Sequence, residues 1–401
     1  MTVPTRRATA PRLEIGVLYG VRALFVLLVC NYHIWQQSWL SQQIPLFGAR
    51  WSFDYITRSS YLFVDGMLLL SAFLLYLPYA WQGETGAPVP TTRQFYINRL
   101  ARILPSYLLS VFALLAVALA DGAYPNARAA WTDVLTHLTF TFTYTKATYL
   151  YTPLNVALWT LAVEMQFYLV FPLLARAARR RPGCTLGCMV ALAWLYRAYV
   201  AYRCPDTALL VNRLPAFLDV YALGFAGAMA YVRLRRVADR ARRWLSVGAV
   251  AAFVPLLLAL SELLMAQSRQ SVVSLEALRV SQLALRLPLA LVLLGLMLCC
   301  TLWPRALQKL LDNRLARFLS AISLNLYIWH QVLAARLRVT LFPATLHTDP
   351  KQQTIFTLLS YAFAILLAML CTYGLEQPAA RLIKNAATRY GRKRPHERPQ
   401  T

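Results

Sequence analysis

The chain has 401 residues, of which 59% are hydrophobic and only 14% are charged. A soluble protein of this length would carry about 25% charged residues, so the composition excludes an ordinary soluble enzyme and indicates a polytopic membrane protein. The net charge of +25 would suit a nucleic-acid-binding protein, but the basic residues cluster in alternate loops, as membrane topology requires. We therefore expect membrane lipids and no nucleic acid among its partners. The seven cysteines show neither a disulfide framework nor metal-ligand spacing, so no metal site is predicted.

Ten apolar stretches are long enough to span a membrane, which takes about 20 residues. They predict an all-α transmembrane bundle with spanning helices at 15–35, 56–81, 103–121, 153–175, 184–202, 213–232, 244–265, 281–303, 319–338 and 353–374. We divide the chain into an N-terminal segment 1–14, a transmembrane domain 15–380 and a basic tail 381–401. The sequence leaves the oligomeric state open.

The distribution of basic residues predicts the orientation of the bundle. With the N-terminus inside, the cytoplasmic segments hold 27 Lys and Arg residues, and the opposite segments hold seven. This bias predicts that both termini are cytoplasmic, and the Arg-rich loops suit a bacterial inner membrane. Residues 131–152 are rich in Thr and Tyr and form either an outer loop or an interfacial helix. The tail from residue 387 is either disordered or in contact with anionic lipid.

The first predicted helix carries an arginine and a histidine, Arg22 and His33. Eleven positions make almost three turns, so both side chains lie on one face, roughly 16 Å apart along the axis. Ionisable residues inside a membrane are costly, and their default interpretation is functional. The alternative is that Arg22 reaches the interface and His33 is a hydrogen-bonded packing residue.

Two acidic residues lie inside later apolar stretches. Asp65, on the second helix, is expected to pair with His33 and fix its tautomer, or with Arg58 as a structural ion pair. Glu164 lies near the middle of the fourth helix, and we predict that it lines the same cavity as His33. A glutamate at that depth is either neutralised by Arg or His or held protonated.

Arg99 and Arg102 are three residues apart at the cytoplasmic start of the third helix. Guanidinium groups bind phosphates bidentately, so this pair suits a phosphorylated ligand or, alternatively, lipid headgroups.

Several other polar residues lie in the helices or at their ends. Tyr327 and His330 share a face of the ninth helix, and packing is the simpler interpretation of His330. Tyr168 lies one turn after Glu164. Near the helix ends, Asp219 is expected to pair with Arg213, and Glu376 with nearby basic residues.

Six segments resemble acyltransferase family 3 of integral membrane acyltransferases, in the same order. They are Arg22 to His33, Val64-Asp65 to Phe73, Arg99 to Pro105, Leu158-Trp159 to Tyr168, Leu326 to His330, and Glu376-Gln377-Pro378. The chain departs from the family pattern at Ala72, where the family has Gly, at Gln377, where it has Arg, and at Met67 and Leu68, where it has aromatic residues. The resemblance implies a ten-helix core that transfers acyl groups, often acetyl from acetyl-CoA, to hydroxyls of sugars or other extracytoplasmic acceptors. It also implies that Arg22 and His33 are functional positions and that His33 is the base.

The resulting hypothesis is an O-acyltransferase with acyl-CoA as donor substrate, no bound cofactor and a carbohydrate or glycan acceptor. Its predicted sites are the catalytic residues His33, Asp65 and Glu164, the acyl-CoA-binding residues Arg22, Arg99 and Arg102, and the secondary candidates His330, Tyr327, Tyr168 and Trp159. The alternative is a transporter or exporter that uses buried His, Asp and Glu as a proton relay. A third possibility is a scaffold that presents its basic face to partners.

Overall fold

The computed structural model describes residues 14–46, 48–342 and 344–392, and these form helices with one small hairpin. The first helices are α1 Val17–Ser38, α2 Asp54–Ser59, α3 Phe63–Thr85, α4 Thr92–Ala120, α5 Ala127–Leu138, α6 Lys146–Tyr149 and α7 Trp159–Arg180. The remaining helices are α8 Pro182–Arg203, α9 Leu218–Gln270, α10 Leu275–Leu302, α11 Arg305–Gln308, α12 Arg314–Leu341, α13 Pro350–Cys371 and α14 Gln377–Arg392. Strands β1 Gln43–Leu46 and β2 Ala49–Ser52 pair antiparallel, with Ile44 opposite Trp51.

In the described residues, ten helical stretches are long and apolar enough to cross a membrane. This confirms the predicted number of spans and the all-α class. Residues 1–13 of the predicted N-terminal segment 1–14 and residues 393–401 of the predicted tail lie outside the described residues. The start of the predicted tail is helical, because α14 continues to Arg392. The segment 131–152, predicted as a loop or an interfacial helix, contains part of α5 and all of α6.

Helix α9 contains two spans that reverse direction at Ala241, where φ is −123° and ψ is 23°. Before the bend, Arg236 pairs with Glu84 at the end of α3. After the bend, the Ser261 hydroxyl lies 2.8 Å from that of Tyr55, which precedes α3. The second half of α9 therefore runs back along the bundle.

Close backbone approaches hold the central helices together. A Cβ at Gly224 of α9 would come within 2.5 Å of the Cβ of Ala72 on α3. Ala72 is fully buried at this contact, so the family's usual glycine is replaced here by a residue that packs against a glycine on the partner helix. A Cβ at Gly20 of α1 would come within 2.4 Å of the carbonyl oxygen of Leu311, just before α12. This contact sets α1 against α12, and these two helices carry His33 and His330.

The start of α4 is fixed by its own sequence. The Thr91 hydroxyl accepts from the Gln94 amide N–H at 3.2 Å, and the Gln94 side chain accepts from the Thr91 amide N–H at 3.1 Å. This reciprocal capping box satisfies backbone donors that the first turn of a helix leaves unpaired. It sets the register that places Arg99 and Arg102 two to three turns into the helix.

Candidate active site

Helices α1, α3, α4, α7 and α12 enclose a cavity of about 100 Å³ between them. Its charged lining residues are Arg22, Arg99, Arg102 and Glu164. The structure thus brings together four of the residues that the sequence predicted for the site. Three arginines against one glutamate leave the described lining with at least two excess positive charges.

The three arginines have no carboxylate partner in the described part of the chain. Among residues 14–46, 48–342 and 344–392, no Asp or Glu oxygen lies within 4.0 Å of their nitrogen atoms. The three side chains are half-buried, and charges withdrawn from water are normally paired, so this arrangement favours an anionic ligand that would supply the missing charge.

Aromatic rings flank the guanidinium group of Arg99. Its central carbon lies 5.9 Å from the ring centroid of Phe95 and 6.0 Å from that of Tyr168. These contacts are in the range of cation–π attraction. The Nε of Arg99 is buried and has no hydrogen-bond acceptor within the described structure. Aromatic rings therefore hold Arg99 in place, and its Nε–H has no acceptor in the described residues.

Glu164 accepts a short hydrogen bond from the hydroxyl of Ser71 on α3. Tyr168, one turn further along α7, also lines the cavity. The Ser71 hydroxyl thus fixes the carboxylate at the cavity wall, and no cation lies within 4.0 Å of that carboxylate in the described part of the chain.

His33 and His330 form a direct pair between α1 and α12. Nε2 of His330 lies 3.0 Å from Nδ1 of His33, and the ring centroids are 5.0 Å apart. His330 is 1% exposed, so the imidazole of His33 reaches into the bundle interior at this contact. The two predicted residues come together, but neither expected carboxylate approaches the pair.

The hydrogen bonds assign the protons of the two rings. Nδ1 of His330 lies 2.7 Å from the carbonyl oxygen of Tyr327, which only accepts, so this nitrogen carries the proton. In the neutral ring the Nε2 of His330 is then an acceptor, and Nδ1–H of His33 donates to it. His33 thereby keeps an unprotonated Nε2, which is the form that a general base requires.

Tyr327 connects the histidine pair to the arginine-lined cavity. It lines that cavity, and its ring centroid lies 5.6 Å from that of His330. Its hydroxyl donates to the carbonyl of Ala157 at 3.0 Å, which fixes the ring against the start of α7. His33 itself is not among the residues that line the cavity, so the prediction that Glu164 and His33 line one cavity is not borne out, and the histidine pair meets the lining through Tyr327.

Asp65 pairs with neither of its predicted partners. Its carboxylate accepts from Nε of Arg286 on α10 at 3.1 Å, and both side chains are buried. Arg58 instead lies over the ring of Trp35, 5.6 Å from its centroid. The prediction that Asp65 orients His33 is therefore wrong, because a buried carboxylate takes the nearest guanidinium group, and α10 supplies it.

A second buried ion pair lies beside the first. Nη2 of Arg197 on α8 is 2.5 Å from a carboxylate oxygen of Asp219, so the predicted Arg213–Asp219 pair is wrong. Arg197 and Arg286 both donate to the carbonyl of Ala216, at 3.5 Å and 3.3 Å. Sequence reasoning missed these two arginines, although each is a charge inside an apolar stretch, which was the available signal.

The contacts of Glu376 and Trp159 indicate that both residues stabilise helix packing. Glu376 ends a π-helical turn, Thr372–Glu376, and accepts from the Asn325 side chain at 2.7 Å. No cation lies within 4.0 Å of it in the described ranges, so its predicted ion pairing is not observed. Trp159 stacks on Phe217 at 6.0 Å and does not line the cavity.

A family model for an acyltransferase domain matches residues 17–376. The chain belongs to acyltransferase family 3. The match begins at the first residue of α1, ends with the π-helical turn, and includes every residue described above as lining the cavity or forming the histidine pair. This confirms the resemblance carried by the six sequence segments and makes the protein a multi-pass membrane member of an acyltransferase family.

A more distant similarity points to the same family. The acyltransferase MdmB of Streptomyces mycarofaciens is 26% identical over 205 residues, which cover 49% of each chain. The match thus spans about half the length of this curated relative. No solved structure matches the chain.

Proposed function

We propose that the protein is a membrane O-acyltransferase that moves an acyl group, acetyl by preference, from acyl-CoA to a hydroxyl of a sugar or glycan. The proposal depends on one observation, which is that α1 carries two different functional groups at separate positions along its length. Arg22 contributes to an unpaired cationic cavity near one end, and His33 contributes an unprotonated Nε2 near the other. Family membership and the acyltransferase name of the distant relative support the reaction class.

The arginine-lined cavity fits the donor. Coenzyme A carries three phosphate groups, and Arg22, Arg99 and Arg102 provide three guanidinium groups without a carboxylate partner in the described structure. Arginine binds phosphate through two parallel charge-assisted hydrogen bonds, which gives both affinity and orientation. With the phosphates at this cavity, the extended pantetheine arm would direct the thioester along α1 towards His33, roughly 16 Å further along the axis.

The histidine pair fits the chemical step. Nε2 of His33 would remove the proton from the acceptor hydroxyl as the oxygen attacks the thioester carbonyl. The carbon–sulfur bond then breaks, the acyl oxygen ester forms, and His33 returns the proton to the departing thiolate of coenzyme A. His330 would hold the ring of His33 through Nδ1 while the positive charge develops. General base catalysis of this kind contributes roughly 10²–10⁴-fold.

Glu164 has a different part in this proposal. Fixed by Ser71 at the cavity wall, its carboxylate would exclude anions from one side and leave the phosphates to the three arginines. From the distribution of basic residues we expect the arginine-lined end of the bundle on the cytoplasmic side, where acyl-CoA is found, and the acceptor on the opposite side. A bacterial inner membrane is the membrane in which we expect this topology.

The experiment that tests the function compares membranes from cells with and without the gene. Mass spectrometry of surface glycans and glycosylated small molecules should show an acyl mass increment that mild alkali removes. Cells carrying His33→Ala should lack the increment, and cells carrying His347→Ala, an exposed histidine outside the site, should keep it.

The transporter alternative makes the opposite prediction. A transporter would move its solute without consuming acyl-CoA, so neither variant would change the amount of ester. If His33→Ala cells form the ester at the full level, with the variant present in the membrane at the parent level, His33 is not the general base.

A further inference from the structure

A second cavity, of about 240 Å³, lies where α9 bends and α10 ends. Its polar lining comes from Tyr231 and Arg235 before the bend, Arg242 just after it, and Thr301, Trp303 and Gln308 at the end of α10 and in α11. It shares no residue with the arginine-lined cavity. It lies in the basic segment 233–243, at the same end of the bundle as the pair Arg236–Glu84.

The described lining of this second cavity is cationic and rich in donors. Arg235 and Arg242 lie on opposite sides of the bend, and the described lining holds no Asp or Glu. The guanidinium group of Arg235 lies over Trp81, 5.2 Å from the ring centroid. This cation–π contact holds one of the two cationic groups at the cavity.

Trp303 supplies a further donor to this lining. Its indole Nε1 is buried and has no hydrogen-bond acceptor within the described structure. The amide of Gln308 donates to the carbonyls of Thr301 and Trp303, both at 3.0 Å, which fixes the backbone at this position. A buried donor without a partner costs free energy of folding. An acceptor atom of a ligand would therefore stabilise the lining at Trp303.

The surroundings of the second cavity indicate that the ligand is amphipathic. Trp244, Val237 and Val247 flank the bend and are 79%, 50% and 57% exposed. On a membrane-spanning helix, exposed apolar side chains of this kind face lipid, and tryptophan favours the headgroup depth. A ligand with a phosphate in the cavity could therefore extend acyl chains along the adjacent surface.

We propose that the second cavity binds the phosphate of an anionic phospholipid headgroup from the adjoining leaflet. Arg235 and Arg242 neutralise the charge, and the indole N–H of Trp303 donates to a phosphate oxygen. The site is independent of the acyl-transfer proposal and uses none of its residues.

Native mass spectrometry of the purified full-length protein in detergent, titrated with phosphatidylglycerol, tests the proposal. Two basic residues near a membrane surface together change the dissociation constant of an anionic lipid by roughly 10- to 30-fold. We therefore expect the double variant Arg235→Gln/Arg242→Gln to bind phosphatidylglycerol more weakly by that factor. Arg242→Gln alone gives a second measurement that leaves the Arg235–Trp81 contact intact. The matched control is Arg243→Gln, which removes a neighbouring exposed charge outside the cavity and should change the constant less than about twofold.

Trp303→Phe separates a built site from general surface charge. It removes one donor without changing the net charge, and the loss of one hydrogen bond should weaken binding about two- to tenfold. Three results would overturn the proposal: an equal loss in Arg243→Gln, equal binding of phosphatidylcholine, or complete displacement of the lipid by excess inorganic phosphate.

Discussion

Nε2 of His330 lies 3.0 Å from Nδ1 of His33, and this hydrogen bond joins α1 to α12. The bond gives the His33 ring a defined tautomer without a carboxylate. His330 itself is held through Nδ1 by the carbonyl of Tyr327. A chain of two neutral rings anchored on the backbone therefore orients the proposed base within the apolar interior.

This relationship predicts distinct results for two variants of His330. His330→Ala removes the side-chain acceptor for Nδ1–H of His33 and leaves the Val29 carbonyl oxygen, which lies 3.2 Å from that nitrogen on the same helix. Loss of the orienting partner on α12 should lower kcat about 10- to 100-fold with little change in KM for the donor. In His330→Gln the side-chain oxygen can accept the same hydrogen bond, so part of kcat should return. Steady-state kinetics with acyl-CoA measures both values. Equal loss in the two variants would mean that His330 acts through packing alone.

The arginine-lined cavity predicts a defect confined to the donor. Arg102→Gln should raise KM for acyl-CoA roughly 10- to 150-fold, because one charge-assisted hydrogen bond contributes about 1.5–3 kcal/mol. KM for the acceptor should stay near the parent value. The control is Arg176→Gln, an exposed arginine that donates to the hydroxyl of Thr92 and does not line the cavity. A matching rise in that control would assign the effect to surface charge.

The buried pair Asp65–Arg286 predicts a structural defect. Asp65→Ala leaves the Arg286 charge uncompensated, which should destabilise the protein by about 3–5 kcal/mol. Asp65→Leu combined with Arg286→Leu removes both charges and should recover most of the melting temperature in detergent, since apolar replacement of a buried pair is often neutral. The folded double variant should keep its acyl-transfer rate. A stable but inactive double variant would indicate that Asp65 has a catalytic role.

The contact between α3 and α9 predicts a steric defect at Gly224. Gly224→Ala would place a Cβ 2.5 Å from that of Ala72 and 2.7 Å from the carbonyl oxygen of Leu69. The oxygen belongs to the backbone of α3, which cannot move aside as a flexible side chain can. Overpacking of this kind costs about 1–3 kcal/mol. Gly187→Ala on α8 is the control, because a Cβ there meets no atom within 4 Å. Melting temperatures of the two variants should differ clearly, and identical values would contradict the close approach.

Sequence periodicity was sufficient for the coarse architecture. A spanning helix needs about 20 apolar residues and satisfies its own backbone hydrogen bonds, so its existence and length depend on local composition. Because α1 is a regular helix, the axial spacing of Arg22 and His33 followed from their eleven-residue separation in the sequence. The ordered family segments then identified the residues that the structure gathers at the arginine-lined cavity and the histidine pair.

Partners across helices depended on the tertiary structure. Asp65 could meet a cation from any neighbouring span, and only the packing of α10 against α3 selects Arg286 rather than Arg58 or His33. The pairing of His33 with His330, 297 residues away, likewise depends on how closely α1 and α12 approach. The sequence by itself determined which residues are buried in the membrane, because that follows from local hydrophobicity. Only the tertiary structure decided which of them touch, because helix packing sets the distances between side chains on different spans.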